Sequence, residues 1–219
     1  SNPVNRSYTF VKGAETLSAT SGEIMTGLTE FADVETLDID YLLMGPGDTG
    51  SKSNTQAIAA KVLSVASGRK DCVGFLSPCY TDVVGVTSSA TQTQNVIDFY
   101  NNMQATSFGV FDNGWKYIYD RFADKYRYVP LNGDVAGLCA SVTANGTPWF
   151  SPAGLNRGAI RGAVKLAFSP TKSERDALYQ RRINPVTSLP GQGIVLFGDK
   201  TALASPSAFD RINVRRLFN

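Results

Sequence analysis

Three short apolar runs, each followed by a longer stretch with helical spacing, constrain this chain more than any other feature. The runs are Ile39–Met44, Cys72–Leu76 and Phe108–Phe111. All are too short for core helices and have the length of buried strands. Between them lie segments with apolar residues at helical intervals: Ile58, Val62, Leu63 and Val65, then Val96, Ile97 and Tyr100. Asn54 or Ser53 is the expected cap of the first, which should stop near Gly68; the second should cover about 91–105. Ser21 is the expected cap of an earlier helix reaching about Ala32, with Ile24, Leu28 and Phe31 at helical spacing. Parallel strands need such crossovers, so the alternation predicts a mostly parallel sheet covered on both faces.

The pattern then changes. Asn113-Gly114 is a strong hairpin signal. Beyond it, Trp115, Tyr117 and Tyr119 alternate on one strand, and Tyr126 and Tyr128 on the returning one. A helix over about 134–142 and the loop Asn145–Pro148 follow, then a turn-rich basic region whose clear helix spans about 173–182. The first ten residues read as a loop entering a short strand. The expected fold class is therefore α/β: a mixed, mainly parallel sheet flanked by helices, with an added hairpin and the start of a smaller C-terminal α+β subdomain. The boundary is placed near residue 150, separating 1–149 from 150–219.

Charge supports that division. Residues 1–149 carry 10 basic and 15 acidic side chains, a balance of −5, whereas residues 150–219 carry 11 basic and 4 acidic, a balance of +7. The basic set of interest is Arg157, Arg161, Lys165, Lys172, Arg175, Arg181, Arg182, Arg211, Arg215 and Arg216. Its bias toward arginine points to a binding face, because a planar guanidinium pairs bidentately with carboxylates and desolvates more readily than an ammonium.

The chain contains no histidine, which removes Ser-His-Asp and Cys-His catalysis and imidazole metal ligation. Cys72, Cys79 and Cys139 match no zinc spacing, and buried free thiols are expected at Cys72 and Cys139. No apolar run approaches the length of a membrane span, and no signal peptide opens the chain. No catalytic, metal or cofactor site is expected.

Four motifs have competing readings. Gly45-Pro46-Gly47-Asp48-Thr49-Gly50 matches G-x-G-x-x-G between a strand and a helix, the position of a pyrophosphate cradle. However, Gly50 stands away from the helix cap, and Asp71 falls at the start of the next strand rather than its end. The same stretch misses a P-loop because Ser51 intervenes before Lys52 and Ser53. A plain connecting loop is preferred to a nucleotide-binding enzyme. Glu30, Asp33, Glu35, Asp38 and Asp40 lack the glycine turn and final glutamate of a calcium loop; they read as a solvated edge or a patch meeting a basic neighbour. The Lys116–Tyr119 and Lys125–Tyr128 stretches interleave cations and aromatics as single-strand binders do, yet Asp112, Asp120 and Asp124 would repel phosphate. The sequons at Asn5 and Asn145 carry little weight.

Several ordered blocks are more specific: Trp149–Gly158, Arg175–Tyr179, Ile183–Val186, Gly198–Thr201 and Phe209–Asn219, with Asp71-Cys72, Lys116-Tyr117, Tyr128–Leu131 and Asp134–Ala140 upstream. In these the chain resembles the sheath subunits of contractile phage tails, most closely those of T4-like myoviruses, over about residues 15–219. The resemblance implies a non-enzymatic structural subunit of the virion tail, assembled in the host cytoplasm. Its implied partners are copies of itself in stacked hexameric rings, the tail tube protein, and baseplate and terminator proteins, with no nucleic acid and no membrane insertion. Secretion-system and bacteriocin sheaths share the mechanics. Family members are longer at both ends and lend strands to neighbours through terminal arms. With Ser1 at one end and Asn219 at the other, a fragment lacking those arms is expected.

Overall fold

The computed structural model describes residues 19–218; the loop and strand expected over the first ten residues, with the Asn5 sequon, lie outside them. Helix α1 (Ser21–Glu30) is capped by Thr20 rather than Ser21. Glu23 stands three positions on and closes a reciprocal capping box, its carboxylate accepting from Thr20 N–H at 2.7 Å. Strand β1 (Tyr41–Leu43) leads to α2 (Lys52–Arg69), capped by Ser51 and ended by Lys70 in the left-handed region. Strand β2 (Val73–Leu76) is followed by a single helical turn, α3 (Tyr80–Val83), which no periodicity announces. Then come α4 (Ser89–Tyr100), β3 (Gly109–Asp112), the pair β4 (Trp115–Asp120) and β5 (Lys125–Pro130), and α5 (Asn132–Ala144). The remainder forms β6 (Lys165–Leu166), α6 (Lys172–Gln180), β7 (Ile183–Asn184), β8 (Val186–Leu189), β9 (Gly193–Leu196), a 3₁₀ turn and α7 (Ile212–Leu217).

The central sheet has the order β1-β2-β3-β7 and is parallel throughout, with Tyr41 opposite Val73, Gly74 opposite Gly109 and Phe111 opposite Ile183. The parallel α/β expectation is met. The fourth strand comes from beyond residue 150, so the sheet continues through the point where charge changes sign.

Side-chain alternation divides the core into two layers. Cys72, Leu76 and Phe111 pack with Ile58, Val62 and Leu63 of α2, Phe99 of α4 and Leu178 of α6. Val73, Phe75 and Val110 face the other way, toward Val135 and Cys139 of α5 and Ile194 and Leu196 of the β8–β9 pair. Helix α2 lies very close to the strands. A Cβ on Gly109 would sit 2.4 Å from Leu63 Cδ2, and one on Gly74 would sit 2.9 Å from Val62 Cγ1.

Asn113-Gly114 is not a hairpin turn. β3 and β4 belong to different sheets, and the second sheet has the antiparallel order β5-β4-β6. Asn113 is fully buried; its Oδ1 accepts from Val186 N–H at 2.8 Å and its Nδ2 donates to Val186 O at 3.1 Å. The side chain thus acts as one rung of β-pairing between sheet and C-terminal region. The expected aromatic hairpin does form, but its turn is 121–124, where Asp120 accepts from Phe122 and Ala123 N–H. Asn184 plays a matching part, donating to Phe111 O and Lys200 O and accepting from Lys200 N–H.

Candidate interface surfaces

The glycine loop after β1 is filled by its own side chains. Gly45 and Gly47 have φ of 69° and 63°, and a Cβ on Gly47 would lie 2.7 Å from Thr55 Cγ2. Asp48 accepts from Asn54 Nδ2 at 2.7 Å and Gly50 N–H at 3.0 Å, and these bonds hold its carboxyl below the ordinary range. A carboxylate therefore stands where a phosphate cradle needs free donors. Lys52 is turned away, donating to Asp82 at 2.9 Å and Asn95 O at 3.1 Å. The geometry is that of a connecting loop.

The aromatic hairpin is similarly self-engaged. Tyr117 stacks on Tyr126 with centroids 5.4 Å apart and lies 4.7 Å from Tyr128. Lys116 pairs with Asp134 at 2.7 Å, Arg127 with Asp120 at 2.8 Å, and Lys165 sits 5.1 Å over the Tyr117 ring. Tyr117, Tyr126 and Tyr128 thus stack on one another, and Lys116 and Arg127 are held by carboxylates rather than left open to a nucleic-acid strand.

The ten basic residues separate into two groups. Arg211 donates from Nη1 to Asp199 and to the Tyr179 hydroxyl, both at 2.6 Å, and these partners raise its already high pKa. Arg182 donates to Ala202 O at 2.7 Å. Arg215 is sandwiched between Phe108 and Phe209, 4.5 Å from each centroid, and desolvation lowers its pKa. Arg216 reaches into the α5 layer and donates to Cys139 O and Pro148 O. Arg175 lies 5.4 Å over Phe197 and donates to Pro170 O. These five act mainly within the chain. Arg157, Arg161, Lys165, Lys172 and Arg181 are exposed. Of these, Arg157 and Arg161 come together on one rim of a groove of about 550 Å³ between α5 and the 156–161 loop.

Arg69, which no motif singles out, organises the acidic run. It is 1% exposed at its side chain. Its Nη1 donates to Phe31 O and Asp33 O, and its Nη2 to Leu37 O, each at 2.7 Å. Nε and Nη2 also grip the Asp71 carboxylate at 2.8 Å. Three of its five donors are aimed at a loop that presents Glu30, Glu35, Asp38 and Asp40 to solvent, and the other two at Asp71. Lone positions of this kind become meaningful only once the chain has folded. All three cysteines are buried and free, and burial pushes the Cys72 and Cys139 thiols up to about 11.

The model of the phage tail sheath protein central domain matches residues 18–202. The tail sheath protein of Vibrio phage KVP40 is 40% identical over 227 residues, covering 97% of this chain and 33% of the relative. That of Enterobacteria phage T4 is 40% identical over 209 residues, covering 91% and 32%. The chain thus spans about a third of the length of these curated relatives. Among solved structures, the contracted helical sheath of the anti-feeding prophage superposes with a TM-score of 0.60 at 16% identity, covering 86% of this chain and 47% of that one. The contracted PVC sheath complex, from an extracellular contractile injection system, gives 0.58 at 18% identity, covering 91% and 53%. At such identities the likeness establishes a shared fold. On the matched family model and the identity to phage relatives, the chain belongs to the phage tail sheath family.

Proposed function

We propose that this chain is the central part of a structural, non-enzymatic subunit of a contractile phage tail sheath. In this reading copies of the subunit stack as hexameric rings into a helical sleeve around the tail tube, between baseplate and terminator. Assembly takes place in the host cytoplasm, and shortening of the sleeve drives the tube through the host envelope. The observation that carries it is the 40% identity to phage tail sheath proteins over nearly the whole chain. The injection-system sheaths share the fold at less than half that identity, which favours a phage tail over a secretion-system or bacteriocin sheath.

A contracting sleeve needs subunits that exchange contacts without unfolding. Two features of the chain suit that need. Its core covers both faces of the sheet, and its charge is divided between an acidic 1–149 segment and a basic 150–219 segment. Exposed ion pairs are worth below about 1 kcal/mol each and can be broken and re-formed singly. Electron microscopy of the whole subunit expressed with and without its tube protein tests the reading. Long tubular polymers are expected, and a subunit that stays monomeric in both cases would refute it.

A further inference from the structure

Arg69 spends a buried guanidinium on a surface loop. Three of its bonds go to backbone carbonyls between residues 31 and 37, which holds that loop in one shape before any partner arrives. Rigid loops bind with less entropic loss than mobile ones. The surface so displayed is mixed: Phe31, Val34 and Leu37 are exposed, Val34 at 53%, among Glu30, Glu35, Asp38 and Asp40. Residues 30–40 contain five acidic side chains and no basic one.

The groove beside α5 is complementary in each respect. Its α5 wall includes Gly137 and Ser141, which leave room, with Leu138, and Ile160 stands opposite. Arg157 and Arg161 line its other side. Arg157 lies 4.6 Å over Phe150 and donates from Nε to Ser151 O. That leaves its Nη donors without a partner, and neither arginine has a carboxylate partner, among the described residues. The one carboxylate in its lining, Asp134, is already matched by Lys116 at 2.7 Å. We propose that the acidic 30–40 loop of a second copy of this chain docks in the α5 groove, its apolar side chains against Leu138 and Ile160 and its carboxylates on Arg157 and Arg161.

The two surfaces are separate patches of the subunit, although Asp40 at the end of the loop shares a small cleft with Thr143 of α5. The loop is tied to α2, which packs on one face of the central sheet, and α5 packs on the other. A contact between unlike patches is head-to-tail, and such a contact propagates into a ring or an open helix rather than closing as a dimer. The inference rests on the sheath reading and adds the pair of surfaces that meet.

The test uses the whole sheath subunit. The double variants Glu35→Lys/Asp38→Lys and Arg157→Glu/Arg161→Glu should each lower the yield of tubular polymer by about tenfold or more, since like charges brought together cost several kcal/mol. Combining the two should restore it. Circular dichroism checks that the exposed-site variants fold. Independently, subunits carrying Glu35→Cys and Arg161→Cys should form a disulfide-linked dimer when co-assembled, against a background of three buried native thiols. Wild-type subunits that never form tubes would sink the sheath reading itself. Tubes that tolerate both reversals, fail to recover in the combined variant, or give no cross-link would overturn the pairing alone. So would a cross-link from either site to tube protein instead of a second copy.

Discussion

Replacing Asp112 by asparagine should remove a pH dependence of stability that the fold builds into the wild-type chain. Asp112 closes β3 and is 1% exposed. Its carboxyl accepts from Ser77 Oγ at 2.7 Å and Gly114 N–H at 2.9 Å, with no ion pair among the described residues. Burial pushes it up to about 8, against an ordinary 3.8. Between about pH 4 and 8 the native state therefore keeps a proton that the unfolded chain has released. Stability is fullest below about pH 4 and is lost as pH rises toward 8, by up to about 1.4 kcal/mol per pH unit. The amide of asparagine has the same shape, accepts from Gly114 and donates to Ser77 Oγ, and does not titrate. The variant's stability relative to wild type should grow by on the order of 3–4 kcal/mol from pH 5 to 8. Urea unfolding followed by fluorescence of Trp115, buried with its Nε1–H on Pro78 O at 2.9 Å, measures this. Taking the difference between two chains cancels the titrating groups that do not couple to Asp112. Parallel stability curves from pH 5 to 8 would refute the reasoning.

Arg69→Ala should free the 31–38 loop, visible as faster amide exchange there, and lower stability by about 2–3 kcal/mol because three carbonyls and Asp71 lose a shared donor; lysine, with one ammonium, should not rescue it. Tyr100→Phe removes the hydroxyl that donates to both Leu76 O and Asp112 O inside the core, and denaturant titration should show a loss of about 1–2 kcal/mol. Gly109→Ala drives a methyl into Leu63 and should cost about 1–3 kcal/mol in the same measurement. Gly158→Ala should be worse, since its Cβ would meet the backbone oxygen of Leu196 at 2.6 Å, and backbone cannot rotate away.

Local pattern alone was enough for the strand–helix alternation, the parallel sheet, the aromatic hairpin of 115–128, the helix near 172–180 and the family blocks. These follow from local properties: apolar spacing, capping residues, and turn chemistry within a few positions. Cap positions drifted by one to three residues because Thr20, Ser51 and Ser88 compete with neighbouring hydroxyls, and only the partner N–H decides among them. Asn113 misled for a related reason. Its side chain satisfies Val186, 73 positions away, so the dipeptide that locally favours a turn joins two sheets instead. The basic segment was legible as charge but not as surface. Arg215 lies between two aromatic rings and Arg216 crosses to the α5 layer, while Arg157, which lies over Phe150 and donates to Ser151 O, and Arg161 stay exposed beside a groove without a carboxylate partner among the described residues. Which cations face outward, how Arg69 holds the acidic loop, and that β7 completes the sheet came from the folded chain. Each depends on groups tens of residues apart meeting in space, and that meeting is set by the packing of the two layers on the sheet rather than by any local pattern.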